Sequence, residues 1–467
     1  MKAERLLREI LREQPKHPQA LHALVQVGLR SGATEQVLPK LVQCVELLPE
    51  EPGPLLQLAQ LSAELTLTAQ ADACYQMLLR RFPVWPHGYF SYAGFLQVQG
   101  DIEQTKALLT RTLELDPEHC GAYLALANVK TVSNDEPIVS AMTQLLSKLD
   151  SDLETPPLKR MQLHYGLGKA MADQSHYARA FEHWRQANQL QLLDCEFRVA
   201  QMKPFFAQIK EAFKSTENIT RTAPQADSLT PIFIVGLPRT GSTLLEQMLS
   251  SHSGIETAGE VNYLADILVR KLQDLTQKNY PQDLQKITRE QFSQLGNSYL
   301  SKLQSHHPES KTIIDKLPAN FQSIGLIRKA LPNAIIVHLT RHPMAVGLSI
   351  YRNYFLANEP YFCDLDELAE YYAMYRELMA FWEELNPNSY YELSYEALVA
   401  SPKEHLSELL DTCGLPWQEQ CLDFYKARKR VTTLSAGQVR QPLYKTSINE
   451  WQNYSSFMQN YASKVGC

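Results

Sequence analysis

At 467 residues the chain is longer than one hydrophobic core usually spans, so two or more domains are expected. Its 44% hydrophobic and 21% charged residues match a soluble globular protein, and a formal charge of −6 gives no general electrostatic reason to expect nucleic-acid binding. No run approaches the ~18 apolar residues that cross a bilayer, and Met1-Lys2-Ala3-Glu4-Arg5 does not lead into a signal peptide. Eight cysteines lie scattered without a CxxC pair. Reduced thiols in a cytoplasmic protein are therefore expected, with no metal site and no disulfide framework.

Residues 3–14 read as a helix that stops at Pro15. Pro15, Pro49, Pro83 and Pro117 then recur every 34 residues, the period of tetratricopeptide repeats with proline closing each unit. Leu21, Leu55, Tyr89 and Tyr123 fill the first large apolar position, and Leu24, Leu58, Tyr92 and Leu126 follow three residues later. Ala59, Ala93 and Ala127 supply the small residue at the helix crossing, Val25 replaces it in the first unit, and Ala71 serves a second helix. Residues 133–153 break the pattern and Thr155-Pro156-Pro157 marks a stop. From about residue 161, Leu167-Gly168, Ala180, Trp184 and Ala187 resume the internal spacing. Such units are antiparallel helix pairs that stack into a right-handed superhelix with a concave groove. That groove is either scaffold and oligomerisation surface or a seat for a peptide or partner protein, and the repeats leave both open. Phe205–Lys214 reads as a helix capping this solenoid.

Residues 215–230 are polar and aperiodic, and form the linker between a repeat domain at 1–214 and a second domain at 231–467. The second domain opens on Ile232-Phe233-Ile234-Val235, a strand of the fully buried type. Gly236 to Gly241 form a tight loop, and Ser242 and Thr243 lead into a helix through Leu249. Strand, glycine loop and helix N-terminus together make a phosphate cradle, because free backbone N–H groups and the positive end of the helix dipole converge there. GLPRTGST keeps both glycines of GxxxxGK[ST] but puts Ser242 where the lysine belongs. That lysine contacts the β- and γ-phosphates of a nucleoside triphosphate, and the next hydroxyl holds Mg²⁺. Its absence, with Arg239 inside the loop, argues against an ordinary ATPase or kinase and for another phosphate ester.

Tyr263–Leu275 and Arg289–Leu303 read as helices. Lys311–Pro318 contains a short strand that ends at Asp315-Lys316, and Ala334–Leu339 is a second buried-type strand. The latter runs through Thr340-Arg341-His342-Pro343 into a helix over Met344–Phe355. Strands alternating with helices imply a parallel, doubly wound α/β sheet, whose ligands sit at the carboxyl ends of the strands. Arg239, Lys316 and Arg341 all fall at or just beyond such ends, which would let them converge on one anion. Tyr351, Tyr354, Tyr371, Tyr372 and Tyr375 recur at helical spacing and read as packing.

PRTGSTLL, Gly259-Glu260, Asp315-Lys316 and Arg341 with Ser349 eight residues on, in that order within about 230–455, resemble the PAPS-dependent sulfotransferases. The likeness is greatest to the tyrosylprotein-sulfotransferase-like branch, and with its repeats the whole chain is similar to bacterial tetratricopeptide-repeat sulfotransferases. The resemblance implies transfer of a sulfuryl group from PAPS (3′-phosphoadenosine 5′-phosphosulfate) to an acceptor hydroxyl with release of 3′,5′-ADP. The acceptor would be a protein, a peptide or a small hydroxyl compound, and the branch points to protein tyrosine. By the same resemblance Arg239, Thr240, Gly241, Ser242 and Thr243 hold the 5′-phosphosulfate, and Arg341 and Ser349 hold the 3′-phosphate. Tyr395 lies beside the adenine, Ser435 near the sulfate, Lys316 near the transferring group, and Glu260, 21 residues after Arg239, is the general base. Two positions depart from the branch: Glu450 precedes Trp451 where a lysine is usual, and Gly259 replaces an acidic residue.

The chemistry agrees with that assignment. In-line transfer builds negative charge on the oxygen that leaves with 3′,5′-ADP, and fixed cations aimed at it (Lys316, Arg239, with Ser435 as donor) stabilise that charge. A carboxylate within reach accepts the proton of the acceptor hydroxyl. Moving SO₃ displaces less charge than moving a phosphoryl group, so an obligatory divalent cation is not expected. Two other readings stay open: a P-loop kinase or NTPase, and a repeat-based interaction protein with a catalytically silent nucleotide fold.

Overall fold

The computed structural model describes residues 2–30, 34–134, 136–152, 154–193, 195–214, 229–355, 359–426, 437–444 and 446–467. The expected linker falls mostly on 215–228, and with Ser435 it lies outside the described residues. Two compact units divide the chain, Met1–Lys130 and Thr131–Cys467.

The first unit consists of helices α1 (Lys2–Glu13), α2 (Pro18–Arg30), α3 (Thr34–Leu47), α4 (Pro52–Glu64), α5 (Thr68–Arg81), α6 (Pro86–Gln99), α7 (Ile102–Leu115) and α8 (Cys120–Val129). α2 packs on α3, α4 on α5 and α6 on α7, the helix pairs that the 34-residue period predicts. Pro18, Pro52 and Pro86 each open a helix, where the missing N–H costs nothing and the fixed φ suits the first turn. Ala59, Ala71, Ala93 and Ala127 are fully buried, as small residues at helix crossings must be. Leu21, Leu55, Leu58, Tyr75 and Tyr92 fill the spaces between the pairs.

The second unit begins with α9 (Pro137–Asp150), α10 (Pro157–Asp173), α11 (Tyr177–Leu192) and α12 (Lys203–Lys214). Residues that break the repeat spacing thus still form a helix, and the resumed spacing forms the pair α10–α11. α12 does not cap the repeats. It lies on the helix Leu365–Leu385 of the same unit, with the Phe213 ring edge-on to Trp382 at 5.2 Å. Its apolar positions Phe206, Ile209 and Phe213, all buried, form the stripe that makes this docking favourable.

Among the described residues the sheet has five strands, β1 (Thr230–Gly236), β2 (Glu256–Gly259), β3 (Thr312–Asp315), β4 (Ile335–Thr340) and β5 (Tyr391–Ser394), in the order β2-β3-β1-β4-β5. Every pairing is parallel. β1 is buried along its whole length, with Ile232 and Ile234 in the core on one face and Phe233 against Tyr299 on the other. The loop after β1 leads into α13 (Ser242–Ser250). From β1 the chain runs to the edge strand β2, returns to β3 beside β1 and then crosses to β4 on the other side, so the carboxyl end of β1 is the switch point where such sheets bind ligands. The helix expected over Met344–Phe355 ends at Tyr351. The one expected from Tyr263 is a π-helical turn, Leu264–Val269, continued by Arg270–Thr276. No described helix is long and apolar enough to cross a membrane.

Candidate active site

The loop between β1 and α13 is shaped by two residues with left-handed backbone, Arg239 at φ 69° and Gly241 at φ 99°. Gly241 is required twice over: its φ disfavours a side chain, and a Cβ there would sit 2.4 Å from the Tyr395 ring. Thr240 donates its hydroxyl to the Leu237 carbonyl at 2.9 Å, closing the turn from within. Ser242 and Thr243 start α13 and are buried.

On the β4–β5 flank of this loop the guanidinium groups gather. Arg341, just past β4, donates Nη1 to the Arg239 carbonyl at 3.0 Å and Nη2 to the Ser447 carbonyl at 2.7 Å. Its guanidinium lies 4.4 Å from the centre of the Tyr395 ring, a cation–π contact, and the Tyr395 hydroxyl pairs with Ser447 Oγ at 2.8 Å. Arg239 donates Nε to Ser349 Oγ at 3.0 Å. Arg352, at the end of the helix Pro343–Tyr351, is joined to Glu450 at 2.5 Å. Arg239, Gly241, Arg341, Ser349, Arg352 and Tyr395 all line one pocket. Burial lowers Arg239 to about 10, and the neighbouring charges of Arg352 and Arg341 add to that. Arg341 is lowered too, mainly by burial. Cations made costly by desolvation and mutual repulsion favour a bound anion.

The β2–β3 flank is different. Lys316 follows β3, is 1% exposed, and sits 2.6 Å from Glu260 and 3.4 Å from Glu246 on α13. Glu246 is buried and accepts from Thr257 Oγ1 at 2.6 Å, while Glu260 keeps 43% of its side chain exposed. Asp315 beside them is fully buried, accepting from the Tyr299 hydroxyl at 2.5 Å and from Asn320 at 3.3 Å. Burial pushes its carboxyl up to about 7 against those two hydrogen bonds.

The expected convergence of three cations is therefore split. Arg239 and Arg341 share a pocket, whereas Lys316 is engaged by carboxylates across the loop and is not among the residues lining it. Arg352 and Glu246 were not read from the sequence. Arg352 was findable, since it lies three residues after Ser349 and so on the same helix face. Glu246 was findable as a lone acid in the apolar run of α13. The two departures acquire physical roles. Glu450 is the partner of Arg352, and the next residue, Trp451, stacks on His342 with ring centres 4.5 Å apart. Gly259 adopts φ +73°, where a side chain is strained, and its carbonyl accepts from the Lys316 N–H at 3.0 Å. Two buried histidines are engaged in local bonds: His252 Nε2 pairs with the Pro416 carbonyl at 2.9 Å, and His338 bridges Glu392 and Tyr375.

The sequence model of the sulfotransferase family matches residues 231–419. Over 371 residues the chain is 30% identical to an uncharacterized protein of Aquifex aeolicus (strain VF5), covering 77% of this chain and 47% of that one. It is 22% identical over 245 residues to protein-tyrosine sulfotransferase 1 of Danio rerio, covering 49% of this chain and 66% of that one. The chain thus spans about half to two thirds of these relatives. Among solved structures, the sulfotransferase domain of the Synechococcus PCC 7002 olefin synthase superposes with a TM-score of 0.35 at 21% identity, covering 52% of this chain and 98% of that one. Residues 231–419, which carry the parallel sheet and the lysine-less glycine loop at its switch point, are the part of the chain that matches the sulfotransferase family.

Proposed function

We propose that this chain transfers a sulfuryl group from PAPS to an acceptor hydroxyl and releases 3′,5′-ADP. The observation that carries the reading is the gathering of Arg239, Arg341 and Arg352 around the phosphate loop of a sulfotransferase-family domain, with Glu450 as the carboxylate bonded to one of them. Several desolvated guanidinium groups suit a ligand with phosphate at both ends of its ribose.

PAPS supplies, when bound, an electrophilic sulfur with 3′,5′-ADP as its leaving group. In our reading the loop Arg239–Thr243 and the start of α13 take the phosphosulfate end. Arg341 and Ser349 take the 3′-phosphate, with Tyr395 at the base. Glu260, open to solvent on one side, takes the proton of the acceptor hydroxyl, and Lys316 at 2.6 Å keeps that carboxylate aimed. A peptide tyrosine is the first acceptor to try, because protein-tyrosine sulfotransferase 1 is among the relatives. A small alcohol is the comparison. The repeats would recruit the acceptor or a partner protein.

The test is thermal stabilisation by 3′,5′-ADP against ATP–Mg²⁺ at equal concentration, because only ligands that prefer the folded state raise the melting temperature. A larger shift with 3′,5′-ADP supports the proposal. A shift with ATP–Mg²⁺ alone would replace it with a kinase or NTPase, and none with either ligand would favour the interaction protein.

A further inference from the structure

The helix pair α10–α11 resembles the repeats in sequence, yet it is built into the back of the guanidinium pocket. Asn188 on α11 is 1% exposed and donates Nδ2 to the carbonyl of Tyr351 at 2.9 Å. Tyr351 ends the helix that carries Ser349, and Arg352 follows it directly. Gln191, one turn further along α11, donates to the Phe355 carbonyl at 2.9 Å. Both amides are themselves fixed by Tyr165 of α10, whose hydroxyl reaches Asn188 Oδ1 at 2.6 Å and Gln191 Oε1 at 3.2 Å. The Phe181 ring stacks on Tyr351 at 5.3 Å.

The same pair holds the other half of the pocket. Trp184 packs on Tyr454 at 5.5 Å and Tyr177 meets it edge-on at 5.2 Å, one turn beyond the Arg352 partner Glu450. Both sides of the Arg352–Glu450 ion pair are thus backed by α10–α11. A helix C-terminus has carbonyls with no partner inside the helix, and an exposed end frays. Here a buried amide, bonded through both its nitrogen and its oxygen, caps that end, so Ser349 and Arg352 are held in place before any ligand arrives.

We propose that α10–α11 is an integral clamp of the 3′-phosphate subsite, with Asn188 as the positioning residue that acts through the Tyr351 carbonyl. The proposal rests on the functional reading above. It also means that residues 157–192 belong functionally with the nucleotide site.

The experiment compares the affinities of the full chain for 3′,5′-ADP and 5′-AMP by calorimetry. The two ligands differ only in the 3′-phosphate. In the wild type 3′,5′-ADP should bind at least ~10-fold tighter, the order expected for one charge-assisted phosphate contact. Asn188→Leu should lower 3′,5′-ADP affinity ~10-fold, as loss of a buried hydrogen bond does, and leave 5′-AMP within about threefold. Should Asn188→Leu fail to fold, Gln191→Leu on the half-buried neighbour takes the same measurement with a smaller loss of the same kind. Equal weakening of both ligands, or an unchanged preference, overturns the clamp. A wild type without preference for 3′,5′-ADP instead overturns the functional reading, so the two failures are separable.

Discussion

The two flanks of the loop between β1 and α13 use charge in opposite ways. On the β4–β5 side, Arg239, Arg341 and Arg352 lie together with Glu450 bonded to one of them, and Arg239 and Arg341 also bond a hydroxyl and two backbone carbonyls. On the β2–β3 side, a single cation, Lys316, is held between Glu246 and Glu260 with the buried carboxyl of Asp315 adjacent. A cluster with surplus positive charge is suited to holding an anion. A lysine held between two carboxylates, one of them solvent-facing, is suited to moving a proton. In the proposed reading binding and chemistry are therefore separable in this domain, and substitutions on each flank should fail in different ways.

The largest expected effect separates them most cleanly. Glu260→Gln should cut turnover by ~100-fold or more, the usual contribution of a general base, and leave the 3′,5′-ADP affinity unchanged by calorimetry. Turnover within twofold of wild type would dismiss Glu260 as the base. Arg341→Ala should weaken 3′,5′-ADP by ~100-fold, as truncation of a buried charged hydrogen-bonding group does. Lys316→Ala leaves Glu246 buried and without its cation, so beyond its loss of activity it should cost about 3 kcal/mol in urea unfolding. A smaller term tests the surplus of cations. Glu450→Gln keeps an acceptor for Arg352 but removes the negative charge, so 3′,5′-ADP should bind about threefold tighter, with a steeper salt dependence.

The pH dependence comes from the β3 side. Asp315 has its pKa raised from 3.8 to about 7 by burial, so the folded protein holds a proton that the unfolded chain has released. For an acid shifted upward, stability falls as pH climbs from about 4 to about 7 and levels off above. Asp315→Asn should flatten that part of the stability curve, measured by denaturant unfolding at a series of pH values. A slope that persists in the variant would assign it to other groups.

Much of this architecture was legible in the amino-acid order, for reasons that differ by region. The helix pairs of the first unit follow from the 34-residue spacing of prolines, alanines and large apolar residues, because each unit repeats one packing problem. β1 and β4 were legible because central parallel strands are buried on both faces and read as continuous apolar runs. β2 and β5 were not read. They are four-residue edge strands, Glu-Thr-Ala-Gly and Tyr-Glu-Leu-Ser, whose partial exposure removes the apolar signal. The tight loop between β1 and α13 announced itself through its glycines. The pairing of Lys316 with Glu246, and of Arg352 with Glu450, depends on contacts between distant segments that spacing does not encode. The docking of α10–α12 onto the sheet unit was hidden for the same reason. Their repeat-like spacing fixes how the helices pair, and leaves open which surface takes their outer face.

The central claim, that one flank holds PAPS and the other takes the acceptor proton, is tested most directly by acceptor-dependent release of 3′,5′-ADP from PAPS. The wild type should release 3′,5′-ADP in step with a +SO₃ mass gain on a tyrosine peptide or a small alcohol. Glu260→Gln should bind PAPS equally well and release almost none. A wild type that binds ATP–Mg²⁺ in preference to PAPS, or a Glu260→Gln variant that turns over normally, would contradict the account.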